Sequence, residues 1–135
     1  MLSISQYDVK YCSNKAHLSS LIVSNGPRTW IVIVAFYTII PLVDAYWVRL
    51  KQQQPRTARR EITDHISRNL FVSGNFDSEI DDSFSELREA AYSGRYHSHE
   101  QFDKTFGADA AFNRLMNTDY PELEAKLLKL LGWKL

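Results

Sequence analysis

The chain has 135 residues, 44% of them apolar and 24% charged, with only five glycines and four prolines, which excludes a low-complexity, collagen-like or fully disordered polymer. That length suits one domain over residues 1–135, burying roughly two-thirds of its unfolded surface. Sixteen Lys and Arg balance sixteen Asp and Glu, so no global positive field drives nonspecific binding to DNA or membranes, and any nucleic-acid site must be a local patch.

The N-terminal MLSISQYDVK lacks a basic region followed by an apolar core, so no signal peptide is expected. A single cysteine, Cys12, excludes an internal disulfide framework and a multi-cysteine zinc site, and fits a reducing cytoplasm. Cys12 itself reads as a buried small hydrophobe. Ile4, Tyr7, Tyr11, Leu18, Leu21 and Ile22 recur at near-helical spacing and predict an amphipathic first helix ended by Gly26 and Pro27. His17 lies close to that stripe and reads as a packing residue.

Trp30 to Val43 is apolar apart from Thr38, yet shorter than the roughly 20 residues a membrane span needs, and Pro41 and Asp44 interrupt it. No membrane association is expected. Arg28 to Leu50 is predicted as a helix buried on most sides; a strand is the alternative for the β-branched run Ile31, Val32, Ile33 and Val34, and length favours the helix. Phe36, Tyr37, Tyr46 and Trp47 fall at helical spacings suited to core packing, which is favoured over a base-stacking platform.

Gln52 to Pro55 form a polar connection. Thr57 can N-cap a third helix that stops near Gly74 and Asn75, with a thin apolar face of Ile62, Ile66, Leu70 and Phe71. A fourth helix is predicted from about Asp77 to Tyr92 on the stripe Ile80, Phe84, Leu87 and Ala91, ended by Gly94. Ser98 and Gln101 have capping-box spacing for a fifth helix that Gly107 weakens. A C-terminal amphipathic helix within 118–135 carries Pro121 near its start, Leu123, Leu127, Leu130 and Leu131 on one face, and Gly132 at its end. The predicted fold is all-α, an antiparallel bundle of five to six helices.

Arg49, Lys51, Arg56, Arg59 and Arg60 occur with no acid between them, and Asp77, Glu79, Asp81, Asp82, Glu86 and Glu89 follow. Two readings stay open: solvated or mutually paired faces, and a phosphate-binding patch at the start of the third helix. His65 follows Arg60 by five residues, and an imidazole beside a guanidinium suffices for metal-free RNA cleavage in which the 2′-hydroxyl is the nucleophile. Five residues place the two about 140° apart on an ideal helix, so either Arg60 reaches round or a second subunit completes the site. His97 and His99 do not share a helical face and have no apparent third ligand, so they read as a solvated loop rather than a zinc site. No metal or other cofactor is expected.

Three segments resemble the HEPN domains, small helical domains of toxin–antitoxin, CRISPR-linked and other defence systems. WIVIVAFYTIIPLVDAYWVRL resembles their apolar, tyrosine-containing second helix. PRTARREITDH is similar to the entry to their third, and FSELREAAYSGRY, with Leu87, Arg88, Tyr92 and Tyr96, to their fourth. The resemblance covers roughly residues 28–105. It implies a homodimer or heteromeric protein partner, with RNA as a possible ligand. RNA-cleaving members carry an Arg, four to six intervening residues and a His at a dimer interface, which would make Arg60 and His65 catalytic and leave Arg56 and Arg59 to hold phosphate. Glu61 after that Arg and Ala58 where many relatives have His depart from the active pattern. The resemblance therefore implies first a non-catalytic interaction or RNA-associated module of a prokaryotic defence system, and alternatively a metal-independent endoribonuclease acting as a homodimer.

Overall fold

The computed structural model describes residues 2–53 and 65–133, and these are helical with no strand among them. In chain order they form α1 (Ile4–Val23), α2 (Arg28–Gln52), α3 (His65–Asn75), α4 (Ser78–Tyr96) and α5 (His99–Phe102), which runs on through a wide turn over Asp103–Gly107. Then α6 (Asp109–Arg114) passes through a second wide turn, Leu115–Asp119, into α7 (Tyr120–Leu131). Taken as continuous rods, with α6 and α7 as one, the described elements make six helices, and the all-α bundle is the observed architecture.

Local chemistry explains several helix ends. Ser3 and Gln6 close a reciprocal capping box on α1: Gln6 N donates to Ser3 Oγ at 3.2 Å and Ser3 N to Gln6 Oε1 at 2.8 Å. Asp77 Oδ1 accepts from Ile80 N at 2.9 Å at the start of α4. Gly132 adopts φ 71°, and the N–H groups of Gly132 and Trp133 then reach back to Lys129 O and Leu128 O, a Schellman end that satisfies two orphan carbonyls.

Helix α2 is the centre of the core. Ile31 to Ala35 are buried in succession, as happens only when a helix is covered on several sides, here by α1, α4 and α7. Of the most apolar stretch of α2, 72% is buried in the bundle, so its hydrophobicity is spent on the core. Pro41 sits within this helix and has no N–H to offer the Tyr37 carbonyl four residues earlier. Asn14 of α1 supplies the missing donor, its Nδ2 lying 2.8 Å from Tyr37 O. The proline is thus accommodated by a neighbouring helix.

Two polar networks lock the packing. Glu124 of α7 is buried and takes hydrogen bonds from Tyr11 Oη at 2.9 Å, Tyr120 Oη at 2.8 Å and Lys15 Nζ at 2.9 Å. Asp44 of α2 receives Arg68 of α3 through two bonds, Nε to Oδ1 at 2.8 Å and Nη2 to Oδ2 at 2.9 Å. Both carboxylates meet the demand that a buried charge be paired and hydrogen-bonded.

Several expectations need correction. On α3 the buried residues are Phe71 and Val72, while Ile66 and Leu70 are exposed; the helix is rotated so that Arg68 meets Asp44, and Ile62 lies outside the described residues. Gly94 does not end α4, which continues to Tyr96; a Cβ at Gly94 would stand 3.1 Å from Thr29 O, so the glycine permits close approach of α4 to α2. Cys12 and His17 are exposed on the outer face of α1. The Cys12 thiol donates to Asp8 at 3.6 Å, and slight desolvation together with that carboxylate pushes its pKa up.

Candidate functional site

On one side of the bundle α2, α3, α4 and α5 leave an open cleft of about 840 Å³. Its floor is Phe36, Tyr37 and Ile40 of α2, and its walls are His65, Arg68 and Asn69 of α3, Arg88 to Tyr96 of α4, then His97, Gln101, Thr105 and Phe106. Helix α4 contributes more of the lining than any other element. Ile80, Phe84, Leu87 and Ala91 face the core, which turns Arg88, Tyr92, Arg95 and Tyr96, at spacings of three, four and seven, toward the opening.

The aromatic rings are accessible. Tyr92 and Tyr96 are 57% and 63% exposed with centroids 4.8 Å apart, and Tyr37 on the opposite side is 39% exposed. The Arg95 guanidinium lies between the two sides, 5.6 Å from the Tyr37 ring and 5.4 Å from the Tyr96 ring, and Arg95 Nη1 contacts the Tyr37 hydroxyl. Tyr46 and Trp47 pack against the core as expected for the α2 aromatics, Phe36 packs there and also lines the cleft, and Tyr37 belongs to the cleft.

The cations differ in availability. Arg68 is committed to Asp44 through its bidentate pair and serves mainly to fix α3, and with it His65, against α2. Arg88 and Arg95 line the same space without a carboxylate partner among the described ion pairs. His65 is the first described residue of α3, exposed at the mouth. His97 is exposed, with Nδ1 2.9 Å from Ser93 Oγ. It lies between α4 and α5 on extended backbone, solvent-exposed as the solvated-loop reading expected, with its ring beside Ser93 of α4, while His99 begins α5. Glu89 adds one acidic group to the lining.

Of the residues singled out in sequence, His65, Arg88, Tyr92 and Tyr96 reach the cleft, while Arg56, Arg59 and Arg60 lie outside the described residues. The acidic run of α4 is partly consumed by pairing elsewhere, Glu79 with Lys126 and Glu86 with Arg114, and Asp77 caps the helix. Arg95 and His97, in sequence members of a polar, aromatic cluster after the fourth helix, and Tyr37, read there as core, also line the cleft. A signal for Arg95 is a second stripe on α4, Arg88, Tyr92, Arg95 and Tyr96, polar and aromatic, beside the apolar one; Tyr37 and His97 lie outside that stripe. Among the described residues no group of three or more His, Cys, Asp or Glu is placed to hold a metal ion. The chain matches no family model, no curated protein and no solved structure.

Proposed function

We propose that the protein is an RNA-associated module whose cleft binds a short single-stranded RNA segment without cutting it. One observation carries the proposal: a protein of zero net charge gathers Arg88, Arg95 and two histidines around three accessible tyrosines in a single cleft. Single-stranded nucleic acid is recognised by that combination, cations tracking phosphates and aromatic faces stacking bases, each stacked base contributing about 1–3 kcal/mol. The preference for RNA, a HEPN-like identity, a cytoplasmic location and a defence or toxin–antitoxin setting rest on the resemblance of the three sequence segments. Exposed Ile66 and Leu70 on α3 support a protein partner, a second copy or a heteromeric one.

Fluorescence anisotropy with a labelled single-stranded oligoribonucleotide tests the reading. Tyr92→Ala should weaken binding about tenfold through lost stacking. Arg88→Ala should weaken it and lower the slope of log K against log salt by about 0.7, the share of one phosphate contact on a single strand. Failure of the wild-type protein to bind, or affinity unchanged in both variants, overturns the proposal.

A second reading, a metal-independent endoribonuclease acting as a homodimer with Arg60 and His65, draws support from His65 opening onto this cleft. It requires cleavage of single-stranded RNA in excess EDTA, 2′,3′-cyclic phosphate ends, and a loss of about a hundredfold or more in His65→Ala.

A further inference from the structure

We propose that His97, held by the buried hydroxyl of Ser93, is a preorganised hydrogen-bond donor to a phosphodiester oxygen of the strand in the cleft, with Ser93 its positioning residue. The proposal rests on the reading of the cleft as an RNA site and names a contact within it.

Two neighbours fix the imidazole. Ser93 is 2% exposed, and its Oγ lies 2.9 Å from His97 Nδ1. The Tyr92 ring meets the imidazole nearly edge-on, at 83° and 5.6 Å between centroids. The backbone adds a third constraint, since His97 N donates to Ser93 O at 3.0 Å. A side chain so held loses little rotamer freedom on binding, and the hydrogen bond it makes to a ligand is correspondingly less offset by ordering.

The identity of the Ser93 group decides what His97 offers. A hydroxyl can both donate and accept. On this proposal it donates to Nδ1 of a neutral imidazole, which leaves the ring proton on Nε2. Facing an imidazolium it rotates and accepts from Nδ1–H, and Nε2 is again protonated. With that tautomer the ring presents Nε2–H as a donor in either charge state. The groups around it favour an anionic acceptor: Arg88 and Arg95 on α4 share the cleft with the His65 ring on α3, Arg68 is neutralised by Asp44, and Glu89 is the one carboxylate among the described lining residues. A phosphate oxygen is the acceptor in RNA that this environment favours, through a charge-assisted bond.

The rival account makes Ser93 and His97 a helix-end clamp only. Anisotropy with a fluorescein-labelled oligouridylate, combined with a double-mutant cycle and nitrogen-15 NMR of the histidine rings, separates the two. His97→Ala should weaken binding about tenfold, the scale for losing a hydrogen bond to a charged group. Ser93→Ala, which touches no ligand and removes one buried oxygen, should weaken it about threefold. The double variant should bind no more weakly than His97→Ala alone, because Ser93 acts only through the ring. His97→Gln, whose amide can replace the Nε2–H donor, should recover part of the loss. In the free protein the neutral His97 ring should carry its proton on Nε2, and that nitrogen should shift when the oligouridylate is added. Wild-type affinity in His97→Ala, additive losses in the double variant, or a ring protonated on Nδ1 in the neutral state would each refute the proposal while leaving the RNA reading intact. No binding by the wild-type protein would remove both.

Discussion

Replacing Tyr11 by Phe removes one oxygen and keeps the ring, so it isolates the hydrogen bond that ties α1 to α7. That oxygen donates at 2.9 Å to Glu124 Oε2, a carboxylate whose residue is only 4% exposed, and Tyr11 itself is 7% exposed. Tyr120 and Lys15 remain as donors after the substitution, so Glu124 is left short of one partner rather than orphaned. A hydrogen bond to a charged group contributes about 1.5–3 kcal/mol, and water has little access to replace it here. Because the ring volume is conserved, no cavity adds to that cost. Tyr11→Phe should therefore destabilise the protein by about 2 kcal/mol, a large share of the roughly 5–15 kcal/mol that holds a domain of this size. Urea unfolding at neutral pH, read by far-UV circular dichroism, should show a lower midpoint with an unchanged slope. A loss below about 0.5 kcal/mol would refute the reasoning and show that Glu124 is satisfied without α1.

The phenols of Tyr11 and Tyr120 are pushed above the ordinary tyrosine range, first by burial and then by the Glu124 carboxylate. Unfolded tyrosines release their protons near pH 10 while these retain theirs, so stability should be full below about pH 10 and fall above it by up to about 1.4 kcal/mol per pH unit for each phenol. Urea midpoints measured across that range should show the decline, and it should be shallower in Tyr11→Phe. Gly107→Ala should cost about 1–3 kcal/mol, because a Cβ there would stand 3.0 Å from the ring of fully buried Phe102 and 2.5 Å from Asp103 Oδ1; thermal unfolding checks it. Asp44→Ala should cost about 2 kcal/mol in urea unfolding, less than a fully enclosed pair, since Arg68 borders the open cleft and can reach water.

Much of the fold was legible because its signals are local. The apolar run of α2 identifies the core helix, Ser98 with Gln101 and Pro121 with Gly132 mark helix ends, and the stripe Ile80, Phe84, Leu87 and Ala91 fixes the inward face of α4. Tertiary pairing was not. The turn of α3 that buries Phe71 and Val72 depends on Arg68 finding Asp44, 24 positions earlier, and the role of Gly94 depends on Thr29 lying across the helix interface. The cleft shows the same division. His65 was visible as a titratable residue near a basic run, but that it shares a space with Arg88, Arg95, Tyr37 and His97 follows from four helices meeting, which no spacing within one helix encodes. His97 shows it most clearly: in sequence it is one of two histidines beside a serine, and only the turn out of α4 brings its ring back to Ser93.

The most direct test of the central claim is residue-resolved NMR of the nitrogen-15-labelled protein during titration with a short single-stranded RNA. Binding in the cleft predicts saturable shifts concentrated at Tyr37, His65, Arg88, Tyr92, Arg95, Tyr96 and His97, with the outer face of α1 around Cys12 and His17 unmoved. Shifts centred on α1 or α7, or none at RNA concentrations well above that of the protein, would contradict it.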